Sequence, residues 1–255
     1  MKNLFTINGS LSRNIKYGLY GLYFIVFLLL WNAGGDSKLV KPWSDILHAL
    51  SVLWFEKGYG QDIGQSMYLN FYSLFVTMVG VLFLSYISTF PALRPPSFAI
   101  SKGRFLGLMG LNAIFIEVFG LGFDLKVSLL VFSVGVFYLT SMYSVVTEIP
   151  QERFDYARNL NLNGAQVVWH VVIRGTADQM LETLRQNAAI GWMMLTAVEG
   201  IVKSGGIGDI LYNSYKHFDR AEVLAIILSI LSIGILQDIA LKYLQRAICP
   251  HMETK

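Results

Sequence analysis

The sequence predicts an all-α membrane protein with about six transmembrane helices, and two observations carry this prediction. First, 54% of the 255 residues are hydrophobic and only 15% are charged, whereas soluble domains average about 25% charged residues. Second, the stretches 17–35, 63–93 and 127–147 contain no Asp, Glu, Lys, Arg or His. Because a helix needs roughly 20 predominantly apolar residues to cross the hydrocarbon core of a bilayer, we expect several spans.

We place the six spans at about residues 17–31, 67–89, 105–120, 127–146, 184–202 and 222–244. Cytoplasmic segments of membrane proteins carry an excess of Lys and Arg. If both termini lie on one side, that side holds Lys2, Arg13, Lys16, Arg94, Lys102, Arg104, Arg153, Arg158, Arg174, Arg185, Lys242, Arg246 and Lys255. The other side holds Lys38, Lys41, Lys57, Lys126, Lys203, Lys216 and Arg220. The first side therefore holds thirteen of the 20 basic residues and the other side seven. This excess predicts that both termini are cytoplasmic.

Composition argues against several kinds of site. The single cysteine, Cys249, excludes an internal disulfide bond, and the four histidines are too far apart in sequence to suggest a metal site. A net charge of +3 gives no indication of nucleic-acid binding. The glycine-rich run 204–208 reads as a turn, and it lacks the Lys and the Ser/Thr of a phosphate-binding loop. We therefore expect neither an ATP site nor another bound cofactor in this chain.

Two of the segments between the spans differ in pattern. Residues 42–55 place apolar side chains at helical intervals behind Pro42, which predicts an amphipathic helix. Its Trp43 and Trp54 favour a position along the outer membrane interface. Residues 90–98 contain three of the six prolines and show no helical pattern.

A polar segment, residues 148–175, separates the fourth and fifth spans. After Pro150 its apolar residues recur at helical intervals, and a second helical pattern resumes at 165–173. Between the two patterns, Asn161 and Gly164 are residue types that tolerate left-handed backbone angles. The segment is therefore predicted to form two short helices joined by a turn, exposed to the cytoplasm and available to a partner.

The spacing in this segment resembles the cytoplasmic coupling motif of ATP-binding-cassette (ABC) importer permeases. That motif reads Glu-Ala-Ala, three residues, Gly, nine residues, an aliphatic residue, one residue and a second aliphatic residue, often followed by Pro. The matching positions here are Asp155-Tyr156-Ala157, Asn161, Val171, Ile173 and Arg174. Asp155 and Asn161 keep the acid and the turn residue of the motif, whereas Arg174 replaces the Pro.

Two further runs resemble the nitrate/sulfonate/bicarbonate (taurine-type) permeases of that family. Residues 188–211 are similar to a fifth-helix signature that contains a Trp, an Ala-Glu pair and a Gly-Leu-Gly turn. The matching residues are Trp192, Val198-Glu199 and Gly206-Ile207-Gly208. Residues 115–122 (FIEVFGLG) resemble an apolar-Trp-Phe-Gly-Ile-Gly run, in which Glu117 and Val118 replace apolar or aromatic residues. The resemblance covers residues 64–245.

The resemblance implies the multi-pass membrane subunit of a bacterial inner-membrane importer with type I ABC importer permease architecture. Two copies would form the translocation path for a small solute that a periplasmic or lipoprotein substrate-binding protein delivers. A cytoplasmic ATP-binding subunit would hydrolyse ATP, so this chain itself would not be an enzyme. The residues implied to contact that subunit are Arg153, Phe154, Asp155, Tyr156, Ala157, Arg158, Asn161 and Gly164. The substrate is left open, because the resembled subfamily handles both small anions and organic molecules.

The same resemblance suggests a division of the chain into three parts. An N-terminal part, 1–63, would hold the first span and the outer amphipathic helix. The permease transmembrane domain would occupy 64–245, with the coupling helix at 150–165. Residues 246–255 would form a cytoplasmic tail.

Polar and ionisable residues inside the spans are candidates for the translocation path, because burying a charge there costs about 2.5–3.5 kcal/mol on insertion scales. Glu117 lies in the third span without a basic residue within one helical turn, so it either faces the path or pairs with another helix. Trp192, Thr196 and Glu199 fall on one face of the fifth span. That face is the second candidate for the path.

Two acid–base pairs at a spacing of four residues have a plainer interpretation. Glu199 precedes Lys203 by one helical turn, and Asp238 precedes Lys242 by the same distance. Pairs of this order stabilise a helix along one face. We expect both pairs near the ends of their spans, and for Glu199 a structural role and a role in the path both stay open.

Two other classes of protein are weighed against the permease. A self-contained secondary transporter or channel would carry an inverted repeat and several buried charges acting as an ion relay, and the sequence displays neither. A membrane-embedded enzyme would need a nucleophile and base, or a metal set, at membrane depth. No His or Asp cluster lies within the spans, so the permease is the favoured interpretation and the secondary transporter is the alternative.

Overall fold

The computed structural model of the protein describes residues 13–34, 41–90 and 94–249, and within these ranges it contains helices and turns but no β-strand. The α-helices are α1 (Arg13–Gly34), α2 (Trp43–Phe55), α3 (Tyr59–Ile87), α4 (Arg94–Ser101), α5 (Leu108–Phe119), α6 (Phe123–Thr147), α7 (Gln151–Asn159), α8 (Gly164–Val167), α9 (Ala177–Val202), α10 (Ile207–Lys216) and α11 (Arg220–Ile248). The predicted all-α class is confirmed. The predicted tail, 246–255, lies mostly outside the described residues.

Within the described residues, three helices are long and apolar enough to cross a membrane, namely α3, α6 and α11. They contain most of the predicted second span and all of the predicted fourth and sixth spans. The 29 residues of α3 extend over about 44 Å, more than the roughly 30 Å of a hydrocarbon core. The first predicted span is a shorter apolar stretch, Tyr17–Trp31, inside α1. The fifth falls in α9, which is as long but more polar, so the number of six spans stays a prediction.

The predicted third span, residues 105–120, is not one continuous helix. The chain instead forms α4, a 3₁₀ turn over Lys102–Phe105 and α5, and the two helical parts meet at an angle of 117°. Leu106 and Gly107 have extended backbone angles and interrupt the helix between them. This pair is either a broken span or a re-entrant segment.

The expectation that residues 90–98 lack helical structure is wrong for the part from Arg94 onward, which begins α4. Pro95 and Pro96 lie in the first helical turn, where a missing backbone N–H removes no internal hydrogen bond. Helix α4 then packs against α6, and Phe98 contacts Tyr143 with 6.1 Å between the ring centroids. The prolines of this segment are therefore compatible with the start of a helix, which the sequence prediction did not allow for.

Helices α3, α6 and α9 pack side by side and form the centre of the bundle, with α11 and α10 against α9. The chain runs up and down, so the helix ends collect at two opposite ends of the bundle. One end, here named the α10 end, holds the starts of α3, α6 and α11 together with α10. The other end, named the α7 end, holds the ends of α3, α6 and α11 together with α7 and α8.

The amphipathic helix predicted at 42–55 is confirmed as α2, with Ile46 and Leu53 buried and Trp54 and Phe55 exposed. It packs along α11 at the α10 end. Just beyond it, the Lys57 ammonium bonds Glu222 of α11 at 2.8 Å. Its placement at the membrane interface stays a prediction.

Candidate functional site

Two short helices joined by a turn project from the α7 end, as the sequence predicts. Helix α7 ends at Asn159, and Asn161 takes a left-handed backbone angle, φ +51°. Gly164 does not share this conformation, because it starts α8 instead. The backbone N–H of Asn163 donates to Gln166 Oε1 at 2.9 Å and fixes the start of α8. We call residues 151–167 the α7–α8 hairpin.

The α7–α8 hairpin buries one residue and exposes several large ones. Ala157 is only 2% exposed, whereas Tyr156 and Leu160 are 68% and 71% exposed. Arg153 Nη1 donates to the carbonyl oxygen of Gly175 at 3.2 Å and ties the hairpin to the chain that follows it. Of the eight residues expected to contact an ATPase, Ala157 is thus buried in the protein and not exposed to a partner.

Two more of the eight form a pair on the hairpin surface. Arg158 Nη1 lies 3.4 Å from Asp155 Oδ1, and both side chains are mostly exposed. Exposed pairs of this kind contribute little to stability, about 0–1 kcal/mol. Both side chains are therefore available to a partner at little structural cost, as is the partly exposed Phe154.

The helix predicted at 165–173 is present, but most of it is not α-helical. After α8 the chain forms a π-helix over Val168–Ile173 and a 3₁₀ turn over Arg174–Thr176 before α9 begins. Val172 is fully buried, and Thr176 Oγ1 donates to its carbonyl oxygen at 2.7 Å. Segments of π-helix are rare and occur frequently at functional sites. This one joins the hairpin to α9.

At the α10 end, side chains hold the 204–208 turn between α9 and α10. Its backbone N–H groups donate as follows: Gly205 to Asp209 Oδ2 at 3.0 Å, Gly206 to Asp62 Oδ1 at 3.1 Å, Ile207 to Ser66 Oγ at 2.9 Å and Gly208 to Glu199 Oε2 at 2.8 Å. Consecutive amides in such turns can bind anions. Here all four N–H groups already donate to oxygen atoms of the chain itself. The turn therefore joins two helices and is not an anion site.

Glu199 belongs to this joint. It is 1% exposed, and its Oε1 accepts from Ser66 Oγ at 2.7 Å. The predicted pair with Lys203 is wrong, because α9 ends at Val202 and Lys203 leaves the helix with φ +51°. The Lys203 ammonium lies instead 4.2 Å from the centre of the Tyr212 ring. The buried Lys126 donates to the turn at the Gly205 carbonyl oxygen, at 2.6 Å.

Asp238 also has a different partner from the predicted Lys242. Its Oδ1 accepts from Arg185 Nη1 of α9 at 2.6 Å. The same guanidinium bonds Glu182 through Nη2 at 2.7 Å and through Nε at 3.2 Å. These hydrogen bonds lower the pKa of the Glu182 carboxyl, which precedes the predicted fifth span. The arrangement connects α9 to α11 near the α7 end.

A groove of about 560 Å³ lies between α9, α10 and α11. Its walls are formed by Ala189, Trp192, Met193, Thr196, Leu211, Ile227, Ile230, Leu231, Gly234, Ile235 and Asp238. Of the four residues expected on the translocation path, Trp192 and Thr196 lie on this groove. Glu199 lies in the joint described above, and Glu117 is exposed on α5. The roles of all four in transport stay predictions.

Two uncharged polar side chains behind the groove, those of Asn70 and Gln237, are not among the predicted site residues. Trp192 Nε1 donates to Gln237 Oε1 at 2.7 Å, and Asn70 Nδ2 donates to the same oxygen at 3.0 Å. All three residues are buried. A signal was present, because Asn70 and Gln237 are amide side chains within otherwise apolar spans, where interhelical hydrogen bonds are common.

These features define a helical membrane protein with an exposed hairpin at one end and a groove that runs between its helices. The protein matches, over residues 37–249, the family described as binding-protein-dependent transport system inner membrane component. The match covers most of the chain, so the chain belongs to this family.

Three similar proteins are named as permease proteins of transport or import systems. It is 30% identical over 132 residues to the taurine transport system permease protein TauC of Escherichia coli (strain K12), covering 52% of this chain and 48% of TauC. It is 26% identical over 127 residues to the bicarbonate transport system permease protein CmpB of Synechocystis, with 46% and 45% covered. It is 24% identical over 122 residues to the nitrate import permease protein NrtB of Synechococcus elongatus, with 43% and 44% covered. The chain thus spans about half the length of these relatives.

Solved structures support the fold over a larger part of the chain. A native crystal form of the inward-facing MetNI methionine ABC transporter gives a TM-score of 0.65 at 18% identity. A second crystal form of the same transporter gives 0.62 at 19% identity. Both comparisons cover 78% of this chain and 98% of the matched chain. The expected ABC importer permease architecture is therefore confirmed at the level of the fold.

Proposed function

We propose that this protein is the transmembrane permease subunit of an ABC importer and that the α7–α8 hairpin receives energy from a cytoplasmic ATPase. The observation that carries the proposal is the hairpin itself, an exposed helical element at one end of a membrane bundle. Its Tyr156 and Leu160 side chains are large, apolar and mostly exposed. Aromatic side chains of this kind are typical anchors of protein interfaces. A second subunit docked there would cover both of them.

Movement of the docked hairpin would reach the membrane through α9. Arg153 connects the hairpin to Gly175, and the π-helical segment leads directly into α9. Helix α9 in turn supplies Trp192 and Thr196 to the groove. We therefore infer that the groove forms part of the translocation path and that hairpin displacement changes its width.

The remaining parts of the proposal concern assembly and location. Two copies of this chain, each with its ATPase, would enclose the path in a bacterial inner membrane, with the α7 end and both termini in the cytoplasm. A substrate-binding protein outside the membrane would deliver solute to the α10 end. ATP would be bound by the partner and not by this chain. TauC, CmpB and NrtB are named for taurine, bicarbonate and nitrate, and the solute of this chain is a separate question.

Co-purification from gently solubilised membranes tests the docking surface. We expect the tagged wild-type chain to retain an ATP-hydrolysing subunit, and Tyr156→Ala to lose most of it. Aromatic anchors of an interface contribute about 2 kcal/mol or more, so the affinity should fall about thirtyfold or more. The matched control is Tyr215→Ala, which removes an equally exposed tyrosine from α10 at the other end of the bundle. The control should retain the ATPase.

Two outcomes would contradict the proposal. If no ATPase accompanies the wild-type chain, the importer assignment fails, and ATP-independent transport by the purified protein becomes the next measurement. If Tyr215→Ala releases the ATPase and Tyr156→Ala does not, the docking surface lies at the α10 end instead.

A further inference from the structure

The chemistry of the groove walls indicates which class of solute can occupy it. We propose that the groove between α9 and α11 binds an organic solute with an apolar body and N–H or O–H donors, and that it excludes small inorganic oxyanions. This inference rests on the proposed importer function. The groove volume of about 560 Å³ falls in the range of small-molecule sites, roughly 300–1,000 Å³.

The groove follows the long axis of the bundle. Its α11 wall extends from Ile227 to Asp238, a rise of about 16 Å at about 1.5 Å per residue. This is about half the thickness of a hydrocarbon core. Small side chains create the room: a Cβ atom added at Gly234 would lie 3.8 Å from Trp192 Cδ1, in ordinary contact. A larger side chain at position 234 would therefore fill the groove.

The walls offer hydrogen-bond acceptors but no uncommitted side-chain donor. Thr196 Oγ1 donates to the Met193 carbonyl oxygen at 3.0 Å, and Trp192 Nε1 donates to Gln237. Asp238 is an acceptor and takes its hydrogen bond from Arg185. Among the described residues that line the groove, none is Lys, Arg or His. The nearest cation, Arg185, is already bonded to Asp238 and Glu182, so an oxyanion would lose its hydration there without gaining an uncommitted cation or donor from the lining residues. A solute that brings its own donors would meet oxygen acceptors and apolar walls.

A fixed aromatic wall favours a solute site over a surface that merely faces lipid. The Trp192 ring is held from behind by Gln237, and Asn70 of α3 bonds the same oxygen. Sites that bind small molecules typically hold their contact residues in place through such supporting hydrogen bonds.

Ligand-observed NMR on the full-length chain in lipid nanodiscs tests this chemistry. The probes are benzyl alcohol, benzylamine and benzenesulfonate, which share an aromatic ring but differ in donors and charge. We expect saturable binding of the alcohol and the amine. In Gly234→Leu this binding should weaken by about tenfold or more. The matched control is Gly64→Leu, the same change at an exposed glycine of α3 with open space around it, which should bind like the wild type.

Benzenesulfonate should not bind saturably, and sodium nitrate should displace benzyl alcohol no better than sodium chloride does. The proposal is overturned if benzenesulfonate binds as tightly as benzyl alcohol or if nitrate competes. It is also overturned if no probe binds saturably to the wild type, as expected when lipid or a second copy fills the groove. Unchanged binding in a folded Gly234→Leu variant likewise contradicts it. If Gly234→Leu unfolds at a lower temperature than the wild type, Ala189→Leu is the substitute variant, because it fills the groove from the α9 side.

The same preparations separate this inference from the proposed function. The ATPase should co-purify with the wild type and with Gly234→Leu, because the groove does not include the α7–α8 hairpin. Absence of saturable probe binding to the wild type, with the ATPase retained, would contradict the proposed solute class alone. If no ATPase co-purifies with the wild-type chain, the importer assignment is contradicted, whether or not the probes bind.

Discussion

At the scale of single residues, the fold depends on polar side chains that reach across helices. Glu199 accepts from Ser66, 133 positions earlier in the chain, and Arg185 donates to Asp238, 53 positions later. Both acids have a basic residue one helical turn away, and neither uses it. Inside a bundle, the hydrogen-bond partner of a polar side chain depends on which helices pack against its own helix. Spacing along one helix is informative mainly for surfaces without such neighbours.

The joint at the 204–208 turn leaves no space for a side chain at Gly208. A Cβ atom there would lie 2.5 Å from the Thr196 carbonyl oxygen and 2.7 Å from Glu199 Cβ. Gly208→Ala should therefore push α10 away from α9 and destabilise the protein by about 1–3 kcal/mol, the usual effect of overpacking. Thermal unfolding of the purified chain in nanodiscs measures the change as a lower midpoint.

Gly64→Ala is the matched control for this prediction. Gly64 lies within α3 with nothing within 4 Å of an added Cβ atom, and alanine favours a helix interior by about 0.5–1 kcal/mol relative to glycine. The control should unfold at the same temperature or slightly higher. Equal midpoints for Gly208→Ala and the wild type would mean that the contact between α10 and α9 is looser than described.

At the scale of elements, long apolar blocks predicted their helices well and mixed segments did not. Helices α3, α6 and α11 follow directly from their apolar blocks. The bend between α4 and α5 could not be located, because glycines at 103, 107 and 110 are each compatible with a continuous membrane helix. The helix is interrupted where Leu106 and Gly107 take extended backbone angles. Just before them, Gly103 lies so close to α6 that an added Cβ atom would be 3.2 Å from Val136 and 3.3 Å from Phe132.

The α7–α8 hairpin was predicted more completely than any other irregular segment. Proline at the start of α7 and asparagine at the left-handed position 161 both act locally, so their effect can be recognised without knowledge of the neighbouring helices. The π-helix at Val168–Ile173 has no comparable local signal. It includes Val172, which is fully buried, and this burial is visible only in the packed structure.

The hairpin should lose its structure when Ala157 becomes charged. This residue is 2% exposed, so Ala157→Glu would bury a carboxylate without a partner and open the hairpin locally. Arg153 and Arg158 are trypsin sites within it, and we expect cleavage there to accelerate severalfold. Limited proteolysis followed by mass spectrometry identifies the cut positions.

Tyr156→Glu provides the comparison, because the neighbouring side chain is 68% exposed and can carry a charge into water. It should be cleaved at the wild-type rate while still weakening any partner that binds this surface. Equal cleavage of Ala157→Glu and Tyr156→Glu would show that burial of Ala157 does not hold the hairpin together.

At the scale of the whole molecule, α9 connects the two ends of the bundle. It bonds α11 through Arg185 near the α7 end and through Trp192 in the middle, and it bonds the start of α10 through Glu199. A displacement of the hairpin would thus pass to a helix that is attached at three levels. This arrangement is suited to transmitting motion from one side of a membrane to the other.

The orientation of this bundle gives the last prediction. Arg153, Arg158, Arg174 and Arg185 cluster toward the α7 end, and an excess of basic residues marks the cytoplasmic side. In a Cys249→Ser background, Asn159→Cys at the α7 end should react with a membrane-impermeant maleimide only after the cells are permeabilised. Lys216→Cys at the α10 end should react in intact spheroplasts. Both positions are exposed in the structure, so reactivity reports the side of the membrane. The reverse labelling pattern would place the hairpin outside, where no ATPase can reach it, and would remove the physical basis of ATP-driven transport by this chain.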